Sequence, residues 1–292
     1  MSYDALPPRA RGVPRIRSRE GLYRPPAPAR GVRSPMLPLL RTALAAALVL
    51  GASQPGSAHE LWLTLSTADS VPQIRVNYGH ASKREAPNPA QLVELVALTQ
   101  DGSASLRGSL KPAPPEVPPA LLAPLAGKPG RTLVAATYDG GYWTTLRDGT
   151  RLKASRRLVP DARSGQWSVK YAKAAFGPGA PWLRVIGHTL EIVPVEVPGP
   201  TAGAIRVRVL FRGAPLPGAD LYYGDSGMEP ERAGTPAYAT DQDGIATVPI
   251  RKAGSQVLTV TQTVSPSATP TLADEDVYTA TFAFRLDEPS VN

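Results

Sequence analysis

Turn-forming residues set the first constraint on this chain: 33 prolines and 26 glycines are spread through 292 residues, so regular elements are interrupted at short intervals. Even so, 42% of the residues are hydrophobic, enough to bury a core. Between the Gly, Pro, Asn and Asp positions lie short runs rich in β-branched, aliphatic or aromatic residues. They are Leu61 to Leu65, Ile74 to Tyr78, Leu92 to Leu98, Thr132 to Tyr138 and Tyr142 to Leu146, and no long helical stripe competes with them. After Pro198-Gly199-Pro200-Thr201-Ala202-Gly203 a second set begins: Ile205 to Phe211, Ala219 to Tyr223, Ile245 to Ile250, Val257 to Val264 and Tyr278 to Leu286.

This pattern predicts an all-β protein of two β-sandwich domains, residues 59–193 and 194–292, the second immunoglobulin-like. Two phrases carry the last point. Arg212 to Ala219 reads as a tight turn feeding an edge strand, and Thr240 to Ala246 as an Asp/Gly hairpin, both typical of such modules. Asp241-Gln242-Asp243-Gly244 resembles the opening of a calcium loop, but Arg251 and Lys252 stand where a bidentate Glu is needed, so a plain turn is expected. The Pro-rich stretch from Lys111 to Pro129 is expected as an excursion between strands, because proline lacks a ladder donor. Asp274, Glu275 and Asp276 read as a solvated loop.

The net charge of +8 is misleading until it is located. Residues 1–58 hold nine arginines and two acids, leaving 23 basic against 22 acidic residues. A near-neutral remainder argues against a nucleic-acid surface, which needs clustered Lys and Arg. Within residues 1–58, Met36 is followed by Arg41, an apolar run from Thr42 to Gly51, and Gly56-Ser57-Ala58. That order of charged, apolar and small residues predicts a signal peptide over 36–58, with Met36 the initiator, cleaved after Ala58. The apolar run is too short to span a bilayer comfortably. The expected mature protein is periplasmic and begins with His59.

The absence of cysteine removes disulfides, thiolate metal sites and cysteine nucleophiles together. With no Gly-x-Ser-x-Gly and no phosphate-cradling Gly loop, nothing here calls for an enzyme. Only three histidines remain: His59, His80 and His188. A histidine at position one is special, because its α-amine and its own ring Nδ1 close a six-membered chelate around one metal ion. With His80 or His188 added, the site would be nitrogen-rich and sulfur-free, suited to Ni(II) or Cu(II) rather than Ca(II). The bland reading stands beside it: His59 as a frayed end, His80 as a turn residue, and His188 as a core histidine satisfied by backbone.

Five phrases occur in order: Ala58-His59-Glu60-Leu61-Trp62; Tyr78-Gly79-His80; Asp139-Gly140-Gly141-Tyr142-Trp143 followed by Asp148-Gly149; Lys170-Tyr171-Ala172-Lys173-Ala174; and Gly187-His188-Thr189-Leu190-Glu191-Ile192-Val193-Pro194. Together they resemble the periplasmic nickel- and cobalt-uptake component family of the NikK type, over nearly all of residues 58–286. The resemblance implies a secreted two-part β protein that binds or passes on Ni(II) or Co(II), with a membrane metal transporter or an outer-membrane receptor as partner. Its candidate ligands are His59 and His80, while His188, at the domain junction, suits a backbone-bonded structural role. Thr189 stands where a proline is common after Gly-His, and there is no His-rich tract, so one ion per chain is expected. Two rivals remain. One is a structural or receptor-docking module with incidental histidines. The other is a copper monooxygenase built on the N-terminal histidine; it would need a flat aromatic face, yet Trp62, Tyr142, Trp143, Trp167 and Trp182 more simply fill a core.

Overall fold

The computed structural model describes residues 59–67, 71–80, 83–199, 202–224, 235–251 and 253–286. The leader expected over residues 1–58 lies outside the described residues. In chain order the first strands are β1 (Glu60–Ser66), β2 (Gln73–Gly79), β3 (Arg84–Glu85), β4 (Leu92–Leu98), β5 (Ser103–Ser105), β6 (Lys111–Pro112) and β7 (Leu121–Pro124). Next come β8 (Leu133–Thr145), β9 (Arg151–Leu152), β10 (Ser164–Ala175), β11 (Leu190–Pro194), β12 (Ala204–Phe211) and β13 (Ala214–Pro215). The last are β14 (Asp220–Gly224), β15 (Tyr238–Ala239), β16 (Ile245–Pro249), β17 (Gly254–Val264) and β18 (Glu275–Leu286). The fold is all-β: the helical elements among the described residues are two three-residue 3-10 turns.

Three sheets result. One runs β1-β2-β7-β6 with β3 on β2, a second runs β15-β14-β17-β18-β10-β8-β4-β5 with β9 on β8, and a third runs β11-β12-β13 with β16 on β12. In the C-terminal part, β11-β12-β16 faces β15-β14-β17-β18. Taken in chain order this is the A-B-E against C′-C-F-G arrangement of an immunoglobulin-type sandwich. The expected immunoglobulin-like half is therefore present in the topology itself.

The expected boundary between residues 193 and 194 needs correction on two counts. It cuts β11, whose residues Leu190 to Pro194 pair with Phe211 to Val207 as the first strand of the immunoglobulin-like sandwich. Moreover, the two halves share one sheet. β10 runs parallel to β18 from Gln166↔Glu275 to Ala175↔Phe284, so the last strand of the C-terminal sandwich is continued sideways by the N-terminal half. Long-range parallel pairing between strands some hundred residues apart leaves no local signal in composition.

Both faces of this shared sheet are buried. On one face Tyr171, Tyr278, Phe282 and Phe284 join Ile192, Val207 and Val209 of the third sheet. On the other, Ala172, Ala174 and Ala283 join Leu61, Leu63, Ile74 and Val76 of the first. The two faces differ in side-chain size because strand residues alternate. The small face lets β1 come close enough for Thr281 Oγ1 to donate to Leu61 O at 2.7 Å and Thr259 Oγ1 to Glu60 Oε2 at 3.2 Å.

Three smaller expectations also change or hold. Part of the Pro-rich stretch is strand: β7 pairs with β2 from Val76↔Leu121 to Gln73↔Pro124, its proline confined to the end. Asp276 is buried, accepting from Ser267 Oγ at 2.6 Å and Ala268 N at 3.0 Å, so it is a structural carboxylate and not a solvated one. The Asp241 turn is closed by its own side chain, which accepts from the backbone N–H of Asp243 and Ile245 at 2.9 Å each.

Ala174 sits between Val134 and Ala283 on the small face. Ala174→Leu is expected to lower stability by about 1–3 kcal/mol through overpacking, measured as a shift in the urea unfolding midpoint.

Candidate metal centre

The β1–β2 ladder runs in register from Ser66↔Gln73 to Glu60↔Gly79. One step further it sets His59 beside His80, with ring centroids 4.8 Å apart. The chain then reverses tightly: His80 N donates to Lys83 O at 2.9 Å and Lys83 N to His80 O at 3.1 Å. Gly79 makes this possible, since it sits at φ 116° and a Cβ there would lie 2.5 Å from Lys83 O. The returning β3 places Glu85 opposite Tyr78, and Glu85 Oε1 lies 3.5 Å from His59 Nε2.

Beneath the histidines is an aromatic floor. The Tyr78 ring meets His59 edge-on at 5.1 Å and lies 5.0 Å from Tyr138. Tyr138 donates its hydroxyl to Gln91 Oε1 at 3.0 Å and accepts from Asn88 N at 3.3 Å. Lys170 is Tyr138's partner in the β8–β10 ladder, so its side chain shares that face. Burial holds the His59 ring below the ordinary imidazole range; Glu85 acts to raise it, while His80, Lys170 and Arg151 lower it further. The ring therefore stays unprotonated, and able to bind a metal, at lower pH than free imidazole. Burial likewise drives the Tyr78 hydroxyl far up, with Tyr138 and Glu85 adding to the effect.

The Asp139-Gly140-Gly141-Tyr142-Trp143 phrase builds a bulge in β8. Asp139 Oδ1 accepts from Gly141 N at 2.9 Å and from Trp167 Nε1 at 3.0 Å, and Trp143 Nε1 donates to Gly140 O at 3.0 Å. A Cβ at Gly140 would approach Ser168 O to 2.9 Å. This string aims the end of β8 and leaves Trp143 half-buried under Arg151, 5.5 Å from the ring centroid. Trp62 and Trp182 are core residues.

His188 does not join the other two. It is 8% exposed, its ring 4.6 Å from that of Tyr171, and Tyr171 points to the opposite sheet face from Lys170. Its Nε2 lies 3.4 Å from Thr137 Oγ1, so its partner is a side-chain hydroxyl where backbone was expected. Nearby is a buried ion pair: Lys173 Nζ donates to Glu191 Oε1 at 2.7 Å, both side chains at 2% exposure or less. Glu191 also accepts from the N–H of Ile186 and Gly187 at 2.9 and 3.0 Å, and Lys173 donates to Arg184 O at 3.0 Å. The Gly-His-x-Leu-Glu string is thus a carboxylate cradle that ties residues 184–188 to β10. Burial lowers the Lys173 ammonium, against the pull of Glu191. Burial also lowers His188 to about 4, Lys173 adding to the fall and Glu191 opposing it.

Among the described residues, no group of three or more His, Cys, Asp or Glu side chains is arranged to hold a metal ion. Glu85, Tyr138, Lys170 and Arg151 were not singled out from the sequence as neighbours of the histidines. A charged residue inside an apolar alternation, as Lys170 is in Val169-Lys170-Tyr171-Ala172, is the signal that marks one of them.

The family model described as a domain of unknown function, DUF4198, matches residues 56–264. The chain belongs to the DUF4198 family. In this DUF4198 member the match takes in all three histidines and ends with β17, short of β18, which closes the shared sheet. No curated protein matches the chain. Among solved structures, the D0-D1 domain of intimin is 14% identical over 77% of this chain and 97% of that one, with a TM-score of 0.20. The titin Z1Z2 domains in complex with telethonin are 10% identical over 79% and 95%, with a TM-score of 0.16.

Two outcomes follow from the His188 region. His188 takes up its proton near pH 4 when folded but near 6.5 when unfolded. Between those values the unfolded state binds more protons, so stability falls as pH drops. The loss is about 3 kcal/mol by pH 4, and chemical denaturation at stepped pH should show a flatter curve for His188→Gln. Lys173→Met leaves Glu191 buried without its cation and should cost roughly 3–5 kcal/mol in urea unfolding. Adding Glu191→Leu should not restore it, because the Ile186 and Gly187 N–H groups lose their acceptor.

Proposed function

We propose that the mature protein is a periplasmic binding component, without catalysis of its own. It captures a divalent first-row metal, nickel or cobalt, and presents it to a membrane transporter or an outer-membrane receptor. The observation that carries this reading is the 4.8 Å approach of the His59 and His80 rings at the end of the β1–β2 ladder, at the residue expected to become the N-terminus.

Cleavage after Ala58 would turn an amide into an α-amine beside that pair. The amine and His59 Nδ1 then supply two donors and His80 a third, a nitrogen-rich set suited to Ni(II), Co(II) or Cu(II). Glu85 supports this arrangement from outside. Its carboxylate faces His59 Nε2, which favours the tautomer protonated there and leaves the Nδ1 lone pair free for a six-membered chelate. Such a site is completed by processing and not by a third side chain. Handing an ion on is easier from few protein donors at the end of a strand than from a closed side-chain cage.

The test is calorimetric titration of Ni(II), Co(II) and Cu(II) into protein purified from periplasm, its N-terminus fixed by mass spectrometry. One-to-one binding is expected, lost in His59→Ala and in a variant keeping one residue before His59. For His80→Ala we expect weakening by more than about tenfold, the least that loss of even an outer-shell partner typically costs. Binding that survives in the extended variant, or none in the wild type, overturns the reading and leaves a receptor-docking module.

A further inference from the structure

We infer that the segment between β8 and β10, residues 147–163, docks the protein on the surface of an anionic phospholipid bilayer, its arginines meeting lipid phosphates while exposed leucines enter the headgroup region. None of the candidate metal ligands takes part, so this docking stands or falls separately from the metal-binding reading.

Charge is unevenly placed along the expected mature chain. Residues 147–163 hold six of the 23 basic residues that follow position 58 and two of the 22 acidic ones, leaving 17 basic against 20 acidic elsewhere. The fold gathers these cations at one end of the nine-stranded sheet. Arg147 lies in the turn between β8 and β9, which Leu146 N closes by donating to Thr150 O at 2.8 Å. Arg151 pairs with Thr145 from one side, and Arg163 N donates to Thr145 O at 2.8 Å from the other. Arg151 and Lys153 both lie on the Trp143 ring, 5.5 and 5.9 Å from its centroid. Arg157 sits in the turn that Ser155 opens, its carbonyl accepting from Leu158 N at 3.0 Å and Val159 N at 3.1 Å. Among the described residues Arg156 is matched by Asp274 at 2.8 Å, whereas Arg147, Arg151, Lys153, Arg157 and Arg163 are exposed and form no ion pair with a carboxylate. Asp148 is held by its own turn, accepting from Thr150 N at 2.9 Å. Asp161 and, across from Gln166, Glu275 are the other carboxylates set against these five cations.

Cations alone suit any polyanion, and the leucines among them choose the partner. Leu158, 75% exposed, is the most exposed large hydrophobic side chain among the described residues, and Leu152, 37% exposed, stands between Arg151 and Lys153. An acidic polypeptide or a soluble polyanion offers such side chains nothing. A bilayer surface takes both kinds: phosphates accept from guanidinium in paired bonds, and leucine loses water at the boundary of the acyl chains. Trp143, half-buried beneath the two cations, adds an aromatic of the type that sits at headgroup level. Apolar side chains interleaved with Lys and Arg are the composition of segments that lie on anionic membranes.

The test is co-sedimentation of the mature protein with vesicles of mixed phosphatidylglycerol and phosphatidylcholine, compared with phosphatidylcholine alone, at low and at raised salt. Sedimentation with the phosphatidylglycerol vesicles only is expected, with release as salt screens the charges. Arg147→Gln and Arg157→Gln should each weaken partitioning by about fivefold, and together by about twenty-five-fold. Leu158→Ser should weaken it while leaving the salt dependence unchanged. All three side chains are exposed, and an unchanged urea midpoint confirms that each variant folds. No binding to phosphatidylglycerol vesicles, equal binding to both kinds, or binding that the arginine variants leave unaltered overturns the inference. Release by polyglutamate combined with full binding by Leu158→Ser also overturns it, in favour of an acidic polypeptide as partner. None of these outcomes bears on Ni(II) binding, which is titrated separately.

Discussion

The parallel ladder between β10 and β18 is the contact on which the rest of the architecture depends. It joins strands from the two halves into one nine-stranded sheet, and that sheet is covered on both faces, as parallel pairs usually are. The immunoglobulin-like sandwich lies on the large-residue face and the His-bearing sheet on the small-residue face. Alternation in β10 and β18 therefore does two jobs. Tyr171, Phe282 and Phe284 fill one core, while Ala172, Ala174, Thr281 and Ala283 permit the close approach of β1 on the other.

That approach places the candidate site. β1 is held to the shared sheet by the Thr281 and Thr259 hydroxyls, and β2 is held to β1 by a seven-pair ladder. The first residue before β1 and the first after β2 must then be neighbours, and both are histidines. On the opposite face the Lys173–Glu191 pair performs the matching service for the junction. One carboxylate gathers an ammonium and two backbone N–H groups, so the segment carrying His188 is fastened where β11 begins. Removing one member of such a buried pair costs far more than the net worth of the pair, because the other charge is left uncompensated.

Several features were legible in the residues. Short apolar runs between turn formers announced an all-β chain, and the Arg212–Ala219 and Asp241–Ile245 phrases marked hairpins of an immunoglobulin-like half. Other features were hidden for identifiable reasons. The Asp139-Gly140-Gly141 bulge made one 13-residue strand from what reads as two short runs. A strand as short as Leu121–Pro124 was masked by the prolines flanking it. Asp276 looked like part of an acidic loop because sequence shows charge and not the Ser267 hydroxyl turned toward it.

By itself the sequence determined the local grammar: where the chain turns, that its elements are strands, that sulfur chemistry is absent, and that three histidines are the scarce ligands. Only the tertiary structure decided which of them meet. His59 and His80 come together because register is a property of two strands and their turn. His188 is kept away because it follows a different face of the shared sheet, and face is decided by which sheet packs where. Lys170 belongs to the same category: it is distant in sequence from His59, and only the packing of β1 against β10 brings its charge to bear on that ring.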